Sequence, residues 1–163
     1  MMSMIEQLYY YIKNLDQDED GFEEFEEFYE KVKKKEISFG IEDIEKICLI
    51  FNDKHSINVM EPHNYMALKR MTFITINKIG VEKGFDELIK GLIKIADNNP
   101  VESKGYMNML LNGYSKDDIT IFANLLQKYS EEDRKKIKSL VKKLTDYDYE
   151  NYNDKGSIIL NVV

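Results

Sequence analysis

The sequence is poor in the residues that usually hold small proteins together or carry out catalysis. In 163 residues it has one cysteine, two histidines, two prolines and no tryptophan. A single cysteine cannot form a disulfide within the chain, and its neighbours Ile47 and Leu49 suggest that Cys48 is a reduced, buried thiol. The two histidines, His55 and His63, do not form a zinc-binding pattern with it. We therefore expect no metal and no cofactor.

Long apolar runs and excess positive charge are also missing. No segment approaches the roughly 18–20 apolar residues that span a bilayer, and the first residues show no signal-peptide pattern. The net charge is −7, from 30 acidic and 23 basic residues. Because nucleic-acid binding depends on neutralising phosphates with Lys and Arg, we expect neither direct nucleic-acid nor membrane binding. We expect a cytoplasmic protein whose partner is basic.

Apolar residues recur at helical spacing along most of the chain, which predicts an all-α fold. We expect a bundle of about eight helices in antiparallel hairpins, loosely like a helical repeat, within one domain over 1–163. Residues 1–52 would form acidic N-terminal helices, 53–145 the main helical region, and 146–163 a short tail with a β-prone end. If ordered, this tail should dock on the helical body. The first stripes are Ile5, Leu8, Tyr9 and Ile12; Phe22, Phe25, Tyr29 and Val32; and Ile41, Ile44, Cys48 and Phe51. The most regular stripe is Phe85, Leu88, Ile89, Leu92 and Ile93.

Several helix boundaries are marked by capping residues. Asn99 and Pro100 form an N-cap and first-turn pair, and Ser115 and Ser130 each precede an aspartate by three residues. The segment 62–79 contains strand formers such as Thr72 and Thr75, but no turn signal interrupts it before Gly80. We therefore predict a helix there.

The sharpest local pattern is DQDEDGFEEFEE, at residues 16–27. It places Asp16, Asp18 and Asp20 at positions one, three and five of a calcium loop, with Gly21 at six and Glu27 at twelve. A calcium-binding helical module is therefore one alternative. The other interpretation is a solvated helix start, because nine of the fifteen residues 16–30 are acidic and carboxylates stabilise helix N-termini.

The acidic stretch leads into KVKKK, which suggests pairing along one helix, for example Glu27 with Lys31 and Glu30 with Lys34. The functional interpretation is an acidic surface that steers a basic partner. No nucleophile elbow, phosphate loop or metalloprotease motif occurs, so we do not expect an enzyme. A small hydrolase using paired carboxylates remains a second alternative, because acidic residues are too abundant for counting to decide.

From Phe51 onward the chain resembles the immunity protein 30 family of bacterial polymorphic-toxin immunity proteins. The resemblance spans about 95 residues, and its main segments are FNDKHSINVM (51–60), FDELIKGLIKI (85–95), MLLNGYS (109–115) and FANLLQKYSEEDRKKIKSLVKKL (122–144). It implies a helical antidote that binds and blocks the toxic C-terminal domain of a cognate secreted toxin. Such toxin domains are often nucleases with basic active-site surfaces.

We expect the toxin-binding surface to combine acidic and aromatic side chains, because tyrosine buries large area at low entropy cost. The predicted partner-binding residues are Asp16, Asp18, Asp20, Glu23, Glu24, Glu27, Asp53, Tyr147 and Tyr149. Direct occlusion of a toxin would need an interface of about 1,600 Å².

Overall fold

The structure, a computed structural model, describes residues 1–17 and 19–163. Within these residues it is all-α, as predicted. In order, the described helices are α1 (Met4–Lys13), α2 (Glu19–Lys33), α3 (Ile41–Leu49), a 3-10 turn (Ile50–Asn52), α4 (Lys54–Val59), α5 (Pro62–Ile79), α6 (Val81–Ile95), α7 (Pro100–Gly113), α8 (Lys116–Leu126), α9 (Glu131–Tyr147) and α10 (Tyr149–Leu160). The short α4 and the C-terminal α10 are additional to the eight predicted helices.

The capping residues read from the sequence start the predicted helices. The side chain of Asn99 accepts a hydrogen bond from the Glu102 N–H at 3.2 Å. Ser115 and Ser130 accept from the N–H groups of Asp118 and Asp133, each also at 3.2 Å. Each bond satisfies one of the N–H groups that the first turn leaves without a helical partner, which confirms these three boundaries.

The helix predicted over 62–79 is confirmed as α5 in spite of its threonines. The Thr72 hydroxyl donates to the Leu68 carbonyl at 3.0 Å, and Thr75 donates to Met71 at 2.8 Å. Their hydroxyls are therefore satisfied inside the helix, which removes the cost of burying them. Gly80 ends α5 with φ of 113°, a conformation that favours glycine because it has no Cβ.

The core is centred on α6, which packs against α3, α5, α8 and α9. The predicted stripe of Phe85, Leu88, Ile89 and Leu92 is fully buried. On the same helix, Gly91 lets α3 approach closely, because a Cβ there would lie 2.7 Å from Cys48 Sγ. The predicted burial of Cys48 is confirmed. At the N-terminal side, α1 packs on α2 and α4, and α2 packs on α5.

The prediction of a non-helical, β-prone tail over 146–163 is wrong. Helix α9 continues to Tyr147, and α10 follows after Asp148, whose side chain accepts from the Asn151 N–H at 3.4 Å. Ile159 and Val162 are buried, and α10 packs on α8 and α9, so docking on the helical body is confirmed. Burial of this apolar end outweighs its local β propensity. No helix in the described ranges is long and apolar enough to cross a membrane.

Candidate functional site

The predicted acidic stretch lies on the outer side of α2 and in the turn before it. Helix α2 buries Phe25, Phe28, Tyr29 and Val32, so residues between these positions point away from the core. Asp20, Glu23, Glu24 and Glu27 are all exposed, as is Asp16 in the preceding turn. We call these five residues the acidic face. The sixth predicted member of the stretch, Asp18, lies outside the described residues.

Positive partners neutralise the second half of α2 but not the first. Glu27 pairs with Lys31 at 3.5 Å, as predicted. The predicted partner of Glu30 is wrong, because Glu30 pairs with Lys33, three residues on, and not with Lys34. Asp16, Asp20, Glu23 and Glu24 form no ion pair within the described part of the chain. The acidic face therefore presents uncompensated negative charge at its N-terminal end.

Aromatic rings lie beside these carboxylates. A groove of about 360 Å³ between α1 and α2 is lined by Gln7, Tyr10, Tyr11, Glu24, Glu27, Phe28, Lys31 and Ile37. Tyr10 is 48% exposed, and its ring centroid lies 5.5 Å from that of Tyr11. Tyr11 in turn lies 5.1 Å from Phe28. The groove thus combines aromatic walls with two exposed carboxylates.

Phe22 was predicted to be a core residue, and that prediction is wrong. It is 51% exposed, whereas Phe28, six residues further along α2, is 3% exposed. Its ring lies 6.4 Å from the ring of His63, and His63 contacts the Glu26 carboxylate. Phe22 is therefore an exposed apolar side chain at the edge of the acidic face, which sequence analysis missed. The sequence signal for the buried stripe was the spacing of Phe25, Phe28, Tyr29 and Val32, which are at i, i+3, i+4 and i+7.

The other predicted binding residues lie outside α2 and the turn before it. Asp53 is the N-cap of α4, where its carboxylate accepts from the N–H of Ser56 at 3.1 Å and from the Ser56 hydroxyl. It lies near Tyr9, whose pKa is raised by burial and then by the Asp53 charge. The main structural task of Asp53 is therefore to start a helix.

The tail tyrosines lie on a different part of the molecule. Tyr147 and Tyr149, 88% and 65% exposed, flank the junction of α9 and α10. Tyr147 borders a groove together with Met66 of α5 and Val101 of α7. Met66 lies one turn after His63 on α5, and His63 contacts Glu26 of α2. The predicted residues are therefore carried by separate helices, with Asp53 at the start of α4 and the two tyrosines at the junction of α9 and α10.

The calcium pattern does not produce a calcium loop in the described residues. Residues Glu19–Lys33 are helical, so Asp20 and Glu27 cannot wrap around one ion. Gly21 is packed against the end of α1, where a Cβ would lie 2.0 Å from the Asn14 carbonyl oxygen. Within 1–17 and 19–163 no group of three His, Cys, Asp or Glu side chains is placed to hold a metal ion. The glycine serves helix packing here.

Paired carboxylates occur in two of the grooves, without the setting that hydrolysis requires. Glu24 and Glu27 lie on the same helix and are exposed. Asp97 and Glu132 line a groove beside α9, but Asp97 pairs with Lys136 at 3.0 Å. A general acid of a carboxylate pair normally needs an apolar environment, and neither groove provides one. No observation in these grooves favours the hydrolase alternative.

Comparisons of the chain with family models, with curated proteins and with solved structures found no match. The resemblance to the immunity protein 30 family therefore stays a prediction. The functional interpretation depends on the geometry of the acidic face and its aromatic neighbours.

Proposed function

We propose that this chain is a cytoplasmic immunity protein that binds and neutralises the toxic C-terminal domain of a cognate secreted bacterial toxin. The acidic face and the adjoining groove would cover a basic active-site surface on that domain. One observation carries the proposal: carboxylates that form no ion pair with any described residue lie next to exposed aromatic side chains on α1 and α2. The proposed activity requires binding alone, with no cofactor.

The arrangement suits a partner of opposite charge. Asp16, Asp20, Glu23 and Glu24 are exposed and uncompensated, so their field extends into solvent and would raise the rate of encounter with a basic surface. Charge alone seldom gives tight binding, since desolvation offsets much of the attraction. Tyr10 and Phe22 supply the apolar area that becomes buried in a complex, and such aromatic anchors commonly dominate interface energies.

A direct experiment is to co-express the chain with the toxin domain encoded beside its gene. We expect rescue of growth and a stoichiometric complex whose association slows as salt concentration rises. A neighbouring gene set without a toxin, or a toxin domain that forms no complex with this chain, would contradict the proposal.

Two double variants with equal changes in net charge test the location of the interface. Glu23→Gln with Glu24→Gln removes two charges from the acidic face. Glu131→Gln with Glu132→Gln removes two exposed charges from the first turn of α9. We expect the first double variant to slow association by on the order of tenfold at low salt and the second to leave it nearly unchanged. Equal effects of the two would show that only overall charge matters.

A further inference from the structure

A pocket with the opposite electrostatic character lies at the other end of α2. It has a volume of about 310 Å³, at the lower end of the range for small-molecule sites. The end of α2, the segment 34–40 and the end of α5 form its walls. None of the ten described residues that line it is acidic, and three are lysines. This is unusual in a chain with 30 acidic residues and a net charge of −7.

Two of the three lysines form no ion pair with a carboxylate in the described ranges 1–17 and 19–163. Lys33 pairs with Glu30 and lies 4.4 Å from the centroid of the Tyr29 ring. Lys78 Nζ instead donates to the Ser38 hydroxyl at 2.6 Å. Among the described residues, neither Lys35 nor Lys78 has an ion-pair partner. An anion in the pocket would therefore meet two free ammonium groups and a hydroxyl.

The base of the same pocket is apolar. Val32 and Phe39 are almost completely buried, and Ile37 and Ile74 pack partly buried beside them. A fully hydrated inorganic ion would leave this apolar area unused. The combination of a cationic rim and an apolar base instead fits a ligand with a negative head and a hydrocarbon body.

The backbone of Lys35 supplies an independent observation. Its φ is 63°, in the left-handed region that glycine occupies with least strain. The Glu36 N–H donates to the Lys31 carbonyl at 3.0 Å and closes the end of α2 around this residue. Non-glycine residues in this region are often found at functional sites. A side chain is therefore held at the pocket rim where glycine would fit the backbone better.

We propose that this pocket binds a small organic carboxylate with a short apolar body. The carboxylate would lie between the Lys35 and Lys78 ammonium groups, near the Ser38 hydroxyl, and the hydrocarbon would cover Phe39 and Ile74. This site contains none of the five residues of the acidic face, although Ile37 also lines the groove between α1 and α2. Binding of the carboxylate does not depend on the proposed immunity function. The competing explanation is that the lysines only complement the negative ends of the α2 and α5 helix dipoles.

Octanoate is a suitable probe for a titration of the 15N-labelled full-length chain followed by NMR. For a ligand of about ten non-hydrogen atoms we expect saturation at millimolar concentration. The shifted amide signals should include those of Ile37, Phe39 and Thr75. Acetate lacks the body and octanol lacks the charge, so at equal ionic strength neither should give saturable shifts at these residues.

Variants separate the proposal from the dipole explanation. Lys35→Gly removes one charge and relieves the left-handed backbone, so this variant should fold. Lys78→Met removes the second charge. We expect each to weaken octanoate binding roughly threefold and both together on the order of tenfold. Lys128→Met, at an exposed lysine after α8, is the matched control and should bind as the unmodified chain does.

Three results would overturn the proposal. They are the absence of saturable shifts with octanoate, equal shifts with acetate, and unchanged affinity in the Lys35→Gly and Lys78→Met variants. A stability loss in Lys78→Met with no loss of octanoate affinity would instead assign that lysine to the helix dipole. Because the readout involves no toxin, these outcomes leave the test of the proposed function unaffected.

Discussion

The ion pair between Lys69 of α5 and Glu102 of α7 is the sharpest test of how polar groups stabilise this fold. Lys69 Nζ lies 2.9 and 3.1 Å from the two Glu102 carboxylate oxygens. The side chains are only 7% and 14% exposed. We predict that removing either partner alone destabilises the protein far more than removing both, because a single change leaves one buried charge without compensation.

The expected magnitudes differ between the two single variants. Glu102→Gln leaves the Lys69 ammonium in its buried position, and we expect a loss of about 3 kcal/mol in the free energy of unfolding. Lys69→Met leaves the Glu102 carboxylate in the first turn of α7, where the helix N-terminus still stabilises negative charge. We expect a loss of about 2 kcal/mol there. The double variant should lose about 1 kcal/mol or less, which gives a coupling energy of roughly 4 kcal/mol.

Urea unfolding followed by circular dichroism measures these free energies. The slope of the free energy of unfolding against urea concentration should be the same in all variants. In thermal unfolding, a loss of about 3 kcal/mol corresponds to a lower Tm by roughly 6–12 °C for a chain of this size. The control cycle uses the ion pair of Lys135 and Glu131, whose charged atoms lie 3.2 Å apart and whose side chains are 73% and 75% exposed. The coupling energy of this exposed pair should stay below about 0.5 kcal/mol. If the Lys69 and Glu102 effects add within about 0.5 kcal/mol, the reasoning is refuted.

Three further predictions concern packing and buried acids. Gly21→Ala should lower the free energy of unfolding, measured with urea, by about 1–3 kcal/mol, since the added Cβ would lie 2.0 Å from the Asn14 carbonyl oxygen. Gly113→Ala is the control: the space around Gly113 is open, so this change should be neutral or stabilising. Burial raises the pKa of the Cys48 thiol to about 12, so a thiol reagent at pH 8 should label it only after unfolding; rapid labelling of the folded chain would contradict this. Burial, then Asp118, raises the pKa of Tyr114 from 10.0 to about 12. The stabilisation that comes from this raised pKa is fully present below pH 10 and is lost as pH rises towards 12. Tyrosine ionisation, followed by absorbance at 295 nm, and loss of helix, followed by circular dichroism, should therefore occur together.

Local sequence patterns predicted those parts of the fold that depend on local chemistry. A hydroxyl or amide side chain before a helix, such as Ser130 or Asn99, satisfies free N–H groups within three residues, so the boundary can be read directly. The stripe from Phe85 to Leu92 repeats at the helical period and is buried as expected.

The errors occurred where tertiary packing overrode a local signal. The apolar end of the chain has β propensity, but as α10 it can bury Ile159 against α8 and α9. The calcium-loop pattern would use Gly21 for a sharp turn, whereas in the structure this glycine lies in α2 and contacts the end of α1. The predicted stripe placed Phe22 in the α2 core and did not include Phe28, which is buried and contacts the Tyr11 ring of α1.

The candidate sites were predictable only in part. The acidic stretch is continuous in sequence, so its exposure on one helix could be expected from composition and period. The lysine pocket combines residues of α2 with Lys78 of α5, and the Lys69–Glu102 pair joins two helices that are not adjacent in sequence. Such sites depend on how the helices pack, which no local pattern specifies.

The two proposed sites share α2 but should act independently under physiological conditions. The carboxylates lie in the first turns of this helix and the lysines at its end, an order that the helix dipole favours at both termini. Glu23 and Lys33 are separated by about 15 Å along the axis, at about 1.5 Å per residue. That distance exceeds the Debye length of about 8 Å at 0.15 M ionic strength. Neutralising Glu23 and Glu24 should therefore change octanoate affinity at low salt only, and an equal change at 0.15 M would mean that the two sites are coupled through packing.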